Sequence, residues 1–87
     1  MRAPRFKSKV LADVVMVPVE TRSSRRMFRV DVGQWQAGWV EKLPARAGEI
    51  HPWKAFRGIG HGSRFVAAFY EADGGMEAAV LCVLDRK

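Results

Sequence analysis

Residues 27–42, MFRVDVGQWQAGWVEK, decide how this 87-residue chain is read. In the first six positions Phe28, Val30 and Val32 fall on one side and Met27, Arg29 and Asp31 on the other, the period-two pattern of a half-buried strand. Gly33 and Gln34 then turn the chain or bulge it. In residues 35–42, Trp35, Ala37 and Trp39 share one face while Gln36, Gly38, Val40 and Lys42 share the other, so a further strand is expected. These patterns put the chain in the mainly β class.

Upstream, residues 10–20 (VLADVVMVPVE) are rich in valine, and their β-branched content predicts a strand apolar on both faces. Pro18 lacks an N–H and argues for an edge position. Residues 21–26 (TRSSRR) are polar between two apolar runs, as a hairpin loop is. Downstream, residues 43–62 hold two prolines and four glycines, and only residues 52–57 (PWKAFR) have the makings of a helical turn, with Pro52 at its favoured first position. Residues 64–72 alternate again, with Phe65, Ala67 and Phe69 facing one way and Val66, Ala68 and Tyr70 the other.

The C-terminus supports two readings. Asp73, Gly74 and Gly75 are good hairpin residues, after which residues 80–84 (VLCVL) make a buried fifth strand. Met76, Ala79, Val80 and Val83 also keep helical spacing, Asp73 suits a helix start, and Arg86 with Lys87 suit a helix end. The hairpin is the preferred reading. The expected fold is therefore mainly β, a small five-stranded antiparallel barrel with a short helical connector. The alternative is an α+β arrangement, a three-stranded sheet plus a C-terminal helix. Residues 1–9 read as a disordered basic arm, and residues 10–87 as a single small β-rich domain.

Charge is distributed unevenly. The net charge is +6. All of it lies in the first 29 residues, where Arg2, Arg5, Lys7, Lys9, Arg22, Arg25, Arg26 and Arg29 meet only Asp13 and Glu20; the remainder is neutral. A basic arm followed by a basic loop points to a polyanion, of which nucleic acid is the commonest. The one cysteine, Cys82, allows no internal disulfide and reads as a core thiol, which suits a reducing, cytoplasmic compartment. The apolar run in residues 10–19 is interrupted by Asp13 and Pro18 and is shorter than the roughly 20 residues a membrane helix needs, so no membrane association is expected.

Nothing in the chain suggests catalysis. His51 and His61 stand ten residues apart and away from Cys82, and no Cys, His or acidic pair has metal-ligand spacing, so neither metal nor cofactor is expected. Gly58, Gly60 and Gly62 lack the strand–turn–helix setting or the lysine of a phosphate loop. Arg22, Arg25, Arg26 and Arg29 lie within eight positions without an intervening acid and are the expected phosphate contacts, with Lys7 and Lys9 adding sequence-independent attraction. Trp35 and Trp39 read as core or stacking residues, and Trp53, beside Pro52, as a second stacking candidate.

Two families are resembled. Residues 35–66, with an aromatic third strand, Glu41-Lys42-Leu43 and Gly62-Ser63-Arg64 before an apolar strand, are similar to small single-stranded DNA-binding OB-fold proteins of the primosomal replication protein B kind. That resemblance implies an OB-like barrel, or an SH3-like one, whose first hairpin loop (TRSSRR) embraces an oligonucleotide; the corresponding later loop, residues 71–75 (EADGG), is acidic. Residues 28–40, with Trp35-Gln36-Ala37, followed by GGMEAAV (residues 74–80), resemble AP2-type DNA-binding domains, which implies duplex DNA. The expected function is non-catalytic binding of single-stranded DNA or RNA. The rival from another class is a small protein-interaction adaptor or inhibitor of the phage or plasmid type that pairs through an edge strand; separately, a two-sided apolar C-terminal hairpin could be either core or the interface of a homodimer.

Overall fold

The computed structural model describes residues 6–20, 26–43, 52–58, 62–70 and 74–85. Among these residues five strands, β1 (Val14–Val19), β2 (Arg26–Val32), β3 (Trp35–Lys42), β4 (Trp53–Arg57) and β5 (Arg64–Phe69), are followed by a helix, α1 (Gly75–Leu84). A 3-10 turn, Lys9–Leu11, precedes β1. All strand pairs are antiparallel, and the sheet order β1-β2-β3-β4-β5 repeats the chain order. The mainly β class and the five strands agree with the expectation. The barrel does not: the sheet is open, with β1 and β5 at its two edges among the described residues.

Local chemistry accounts for the hairpin between β2 and β3. Gly33 has φ 60° and is followed by Gln34, the two-residue link with positive φ at its first position that type II′ turns require. Pro18 sits in the edge strand β1, where a missing ladder donor is tolerated.

Two expectations are overturned. PWKAFR is strand β4 instead of a helical connector: Trp53 and Ala55 are buried while Lys54 and Phe56 are half-exposed, a period of two, and β3 and β5 pair with it on either side. The C-terminal VLCVL is the second half of α1 instead of a strand. Ala79, Val80, Val83 and Leu84 form its buried stripe, and it packs on β3, β4 and β5. The alternative fold anticipated this helix but allowed three strands where there are five.

The two glycines differ in role: Gly74 takes the left-handed conformation at the N-cap, φ 68°, and Gly75 allows a close approach. A Cβ on Gly75 would run into Trp53 Cδ1 and lie 2.7 Å from the Tyr70 carbonyl oxygen, so the first turn of α1 sits directly on the indole. At the other end Arg57 donates from Nε and Nη2 to the Cys82 carbonyl oxygen at 3.0 and 2.8 Å, which satisfies a C-terminal carbonyl and sets a cation against the negative end of the helix. Asp85 closes the helix in the left-handed region, its N–H bonded to the Cys82 and Leu81 carbonyls.

The core lies between the sheet and α1, with Met16, Val30, Val40 and Val80 almost wholly buried. Each contributes about 1.5–3 kcal/mol relative to exposure. Leu11 of the 3-10 turn joins them, and Phe6 packs against the cluster. Residues 6–9 of the expected arm lie against this layer: the Lys7 and Ser8 N–H groups donate to Glu77 Oε1 at 2.7 and 2.9 Å. Residues 1–5, with Arg2 and Arg5, lie outside the described residues.

Candidate functional site

The two faces of the sheet differ in what covers them. A Cβ on Gly38 would lie 2.9 Å from Val83 Cγ1, so Gly38, and with it Val40, face the helix. Trp39 and Glu41 face the other way. The register then lines up one residue from every strand on that second face: Val17 opposite Arg29, Arg29 opposite Trp39, Trp39 opposite Phe56, and Phe56 opposite Phe65. Beside this row runs another, Val19, Met27, Glu41, Lys54 and Ala68. Among the described residues no helix or strand covers this face.

Two bulges decide which aromatics belong to it. On β3 the register passes from Val30 opposite Gly38 to Asp31 opposite Gln36, which leaves Ala37 unopposed. Trp35 is thereby opposite Val32 and parts from the face of Trp39, contrary to the simple alternation. On β5 the step from Ala55 opposite Ala67 to Phe56 opposite Phe65 skips Val66. Ala67 and Phe69 stay on the helix side, opposite Ala55 and Trp53, while Phe65 turns to the open face. There it is 56% exposed and meets Phe56 edge to face, with ring centroids 5.7 Å apart and planes at 68°.

Arg29 is not the uncompensated cation its sequence context suggests. Its Nε and Nη2 donate to Asp31, two residues along the same strand face, at 2.9 Å each, with a third contact at 3.1 Å. These hydrogen bonds hold the guanidinium pKa above its ordinary value. The ion pair ties the guanidinium to Asp31 along the same strand face.

Between the two rows the surface dips into a depression of about 280 Å³ lined by Met27, Trp39, Glu41, Phe56 and Ser63. Glu41 is only 7% exposed, and Lys54 lies opposite it in the β3–β4 register.

The expected site residues are partly dispersed. Arg26 is exposed at the start of β2, opposite Lys42. Lys7 and Lys9 are exposed on the N-terminal segment tied to α1. Arg22 and Arg25, with the rest of TRSSRR apart from Arg26, lie outside the described residues, as do His51, His61 and residues 71–73 of the acidic loop. Trp53 is corrected: it is 5% exposed, beneath the first turn of α1 and with Lys42 Nζ 5.2 Å from its ring centroid, and cannot receive a base. Sequence reasoning missed Phe56, Phe65 and Glu41. The β-type alternation of PWKAFR was the available signal for Phe56.

Compared with family models, curated proteins and solved structures, the chain matches none. Among the described residues no helix is long and apolar enough to cross a membrane, and no group of three or more His, Cys, Asp or Glu residues is placed to hold a metal ion.

Proposed function

We propose that the open sheet face binds single-stranded nucleic acid without catalysis. The observation that carries this reading is the row of Arg29, Trp39, Phe56 and Phe65 across four adjacent strands on the face away from the helix. A single strand can splay its bases onto such a surface, whereas a duplex keeps them stacked within itself. Trp39 and Phe65 supply ring faces, and the Arg29 guanidinium plane adds a further stacking surface. Phosphates are met by the basic N-terminal third, in which Arg22, Arg25 and Arg26 join β1 to β2. The reading rests on the sheet face and the charge distribution, not on either family resemblance.

The test is tryptophan fluorescence and anisotropy during titration with a single strand and a matched duplex, each at low and moderate salt. Single-strand binding that weakens as salt rises is expected. Trp39→Ala should cost about 1–3 kcal/mol of affinity, the usual worth of one stacked base. Unchanged affinity both in Trp39→Ala and in the Arg22, Arg25, Arg26 triple alanine variant would sink the proposal. Salt-sensitive binding to duplex alone would favour the AP2-like mode.

A protein partner is the second reading, favoured by β5, an edge strand that carries the exposed Phe65. Absence of binding to either nucleic acid at low salt would make it the leading one.

A further inference from the structure

We propose that β5 pairs antiparallel with β5 of a second copy of this chain, so that two open sheets join edge to edge. The inference is independent of the nucleic-acid reading; it rests on the second reading, a protein partner at β5, and names that partner. The two edges of the sheet are finished differently. β1 buries Val14 and Met16, and its Pro18 lacks a ladder donor, a usual way of closing an edge to further pairing. β5 contains neither proline nor acid, and its one charge, Arg64, stands at its first position before five apolar residues. None of its residues is buried, although each of the other strands buries at least two. Among the described residues no strand pairs with its outer side.

The bulge at Val66 decides which strand fits there. Arg64 lies opposite Arg57, which lies opposite Gly38, so Arg64 is on the helix side with Ala67 and Phe69, while Phe65 and Ala68 are on the open side. From Arg64 to Phe69 the open-side residues are thus the second and the second from last, an order that reads the same from either end. A regular strand changes side at every residue and falls out of step across the bulge. A second β5, run antiparallel about a two-fold axis between Val66 and Ala67, stays in step. Phe65 then meets Ala68 of the other copy on the open side, a large residue beside a small one, and Arg64 meets Phe69 on the helix side. An isologous interface makes each of these contacts twice, and both Phe65 rings, 56% exposed in the single chain, gain a neighbour. The joined sheet carries both helices on one side and both aromatic rows on the other.

The experiment is analytical ultracentrifugation of the full chain over about 10–500 µM, where a small interface without strong anchors is populated. A monomer–dimer equilibrium is expected. Val66 stands outside the core cluster and the residues packed on it, so Val66→Lys tests the edge without opening the core. Two ammonium groups beside the axis should weaken the dimer at least about ten-fold. Val66→Glu should do the same, and an equimolar mixture of the two variants should regain a dimer. Val15→Lys, the same change at a residue 56% exposed on β1, should sediment like the unaltered chain. If the Val66 variants do not fold, hydrogen exchange of the unaltered chain decides, since exchange at β5 amides should slow as concentration rises and exchange at β1 amides should not. A chain monomeric at every concentration would overturn the self-pairing. Fast exchange at β5 in that monomer would leave the edge to a strand of another protein, whereas slow exchange throughout would show the edge closed and remove the protein-partner reading as well. A dimer lost in Val15→Lys and kept in Val66→Lys would overturn the assignment in favour of β1, and a dimer kept in both would place the interface away from either edge.

Discussion

Replacing Gly75 by alanine tests the contact that seats the helix on the sheet. In an unconstrained helix this change is favourable by about 0.8–1 kcal/mol, because alanine restricts the unfolded backbone and glycine does not. Here the new Cβ would overlap Trp53 Cδ1 and press to 2.7 Å on the Tyr70 carbonyl oxygen. The indole is buried and the carbonyl belongs to the backbone, so neither can swing aside, and overpacking of this kind costs about 1–3 kcal/mol. With both neighbours fixed, the upper part of that range applies, and the net loss after the propensity gain is about 2 kcal/mol. For a domain of this size each kcal/mol moves the melting temperature by roughly 4–8 °C, so Gly75→Ala should melt about 8–16 °C lower. Thermal unfolding followed by far-ultraviolet circular dichroism measures this, and the near-ultraviolet tryptophan bands should change because Trp53 is displaced. An unchanged or raised melting temperature would refute the close packing of α1 on Trp53 and return Gly75 to the role of a simple turn residue.

Three further outcomes follow from the same geometry. Glu77→Gln weakens the charge-assisted acceptor for the Lys7 and Ser8 amides, so hydrogen exchange at those two N–H groups should accelerate while stability falls by only about 1 kcal/mol; unaltered exchange would mean the segment is held by Phe6 alone. Arg57→Lys keeps the cation but loses the fork that places two donors on the Cys82 carbonyl, and should cost about 1 kcal/mol in denaturant titration. Phe65→Ala and Trp35→Ala remove similarly exposed aromatics from opposite sides of the β3 and β5 bulges; the first should weaken single-strand binding by about ten-fold and the second by less than about two-fold, and equal losses would discredit the face assignment.

Strands β2, β3 and β5 were legible as period-two runs, and β1 through its β-branched content, apolar on both faces. β4 was not, because in five residues a proline-led segment with Trp53, Ala55 and Phe56 fits either period, and what decides is pairing with β3 and β5, which no local window contains. Gly75 was misread for a related reason. Glycine signals either a turn or a close approach, and the approaching group, Trp53, is more than twenty positions away in the chain.

For the candidate site, Arg29 and Trp39 were visible as a basic and an aromatic residue on neighbouring strands. Their company was hidden by the bulges, since one unopposed residue at Ala37 or Val66 transfers everything beyond it to the other face. The alternation that grouped Trp35 with Trp39, and Phe65 with Phe69, holds only for an uninterrupted ladder. The partner of Arg29 was in plain view at Asp31, yet on a strand two positions apart means the same face, and that proximity lowers the charge a phosphate would feel.

The sheet whose neighbours in space are all neighbours in the chain carries a consequence for how the molecule forms. Each hairpin can close as soon as its two strands exist, and such short-range closure is fast. The layer that shelters Met16, Val30 and Val40, by contrast, is encoded last. On the ribosome the sheet would emerge with both surfaces wet, and until α1 arrives its inner surface would be as available to a chaperone or a neighbouring nascent chain as its outer one. The N-terminal segment waits for the same helix, since its anchor, Glu77, lies in the first turn of α1, about seventy positions downstream. Docking of that segment therefore belongs with the arrival of α1, a latch made from the two ends of the chain on a sheet that closes through short-range pairings.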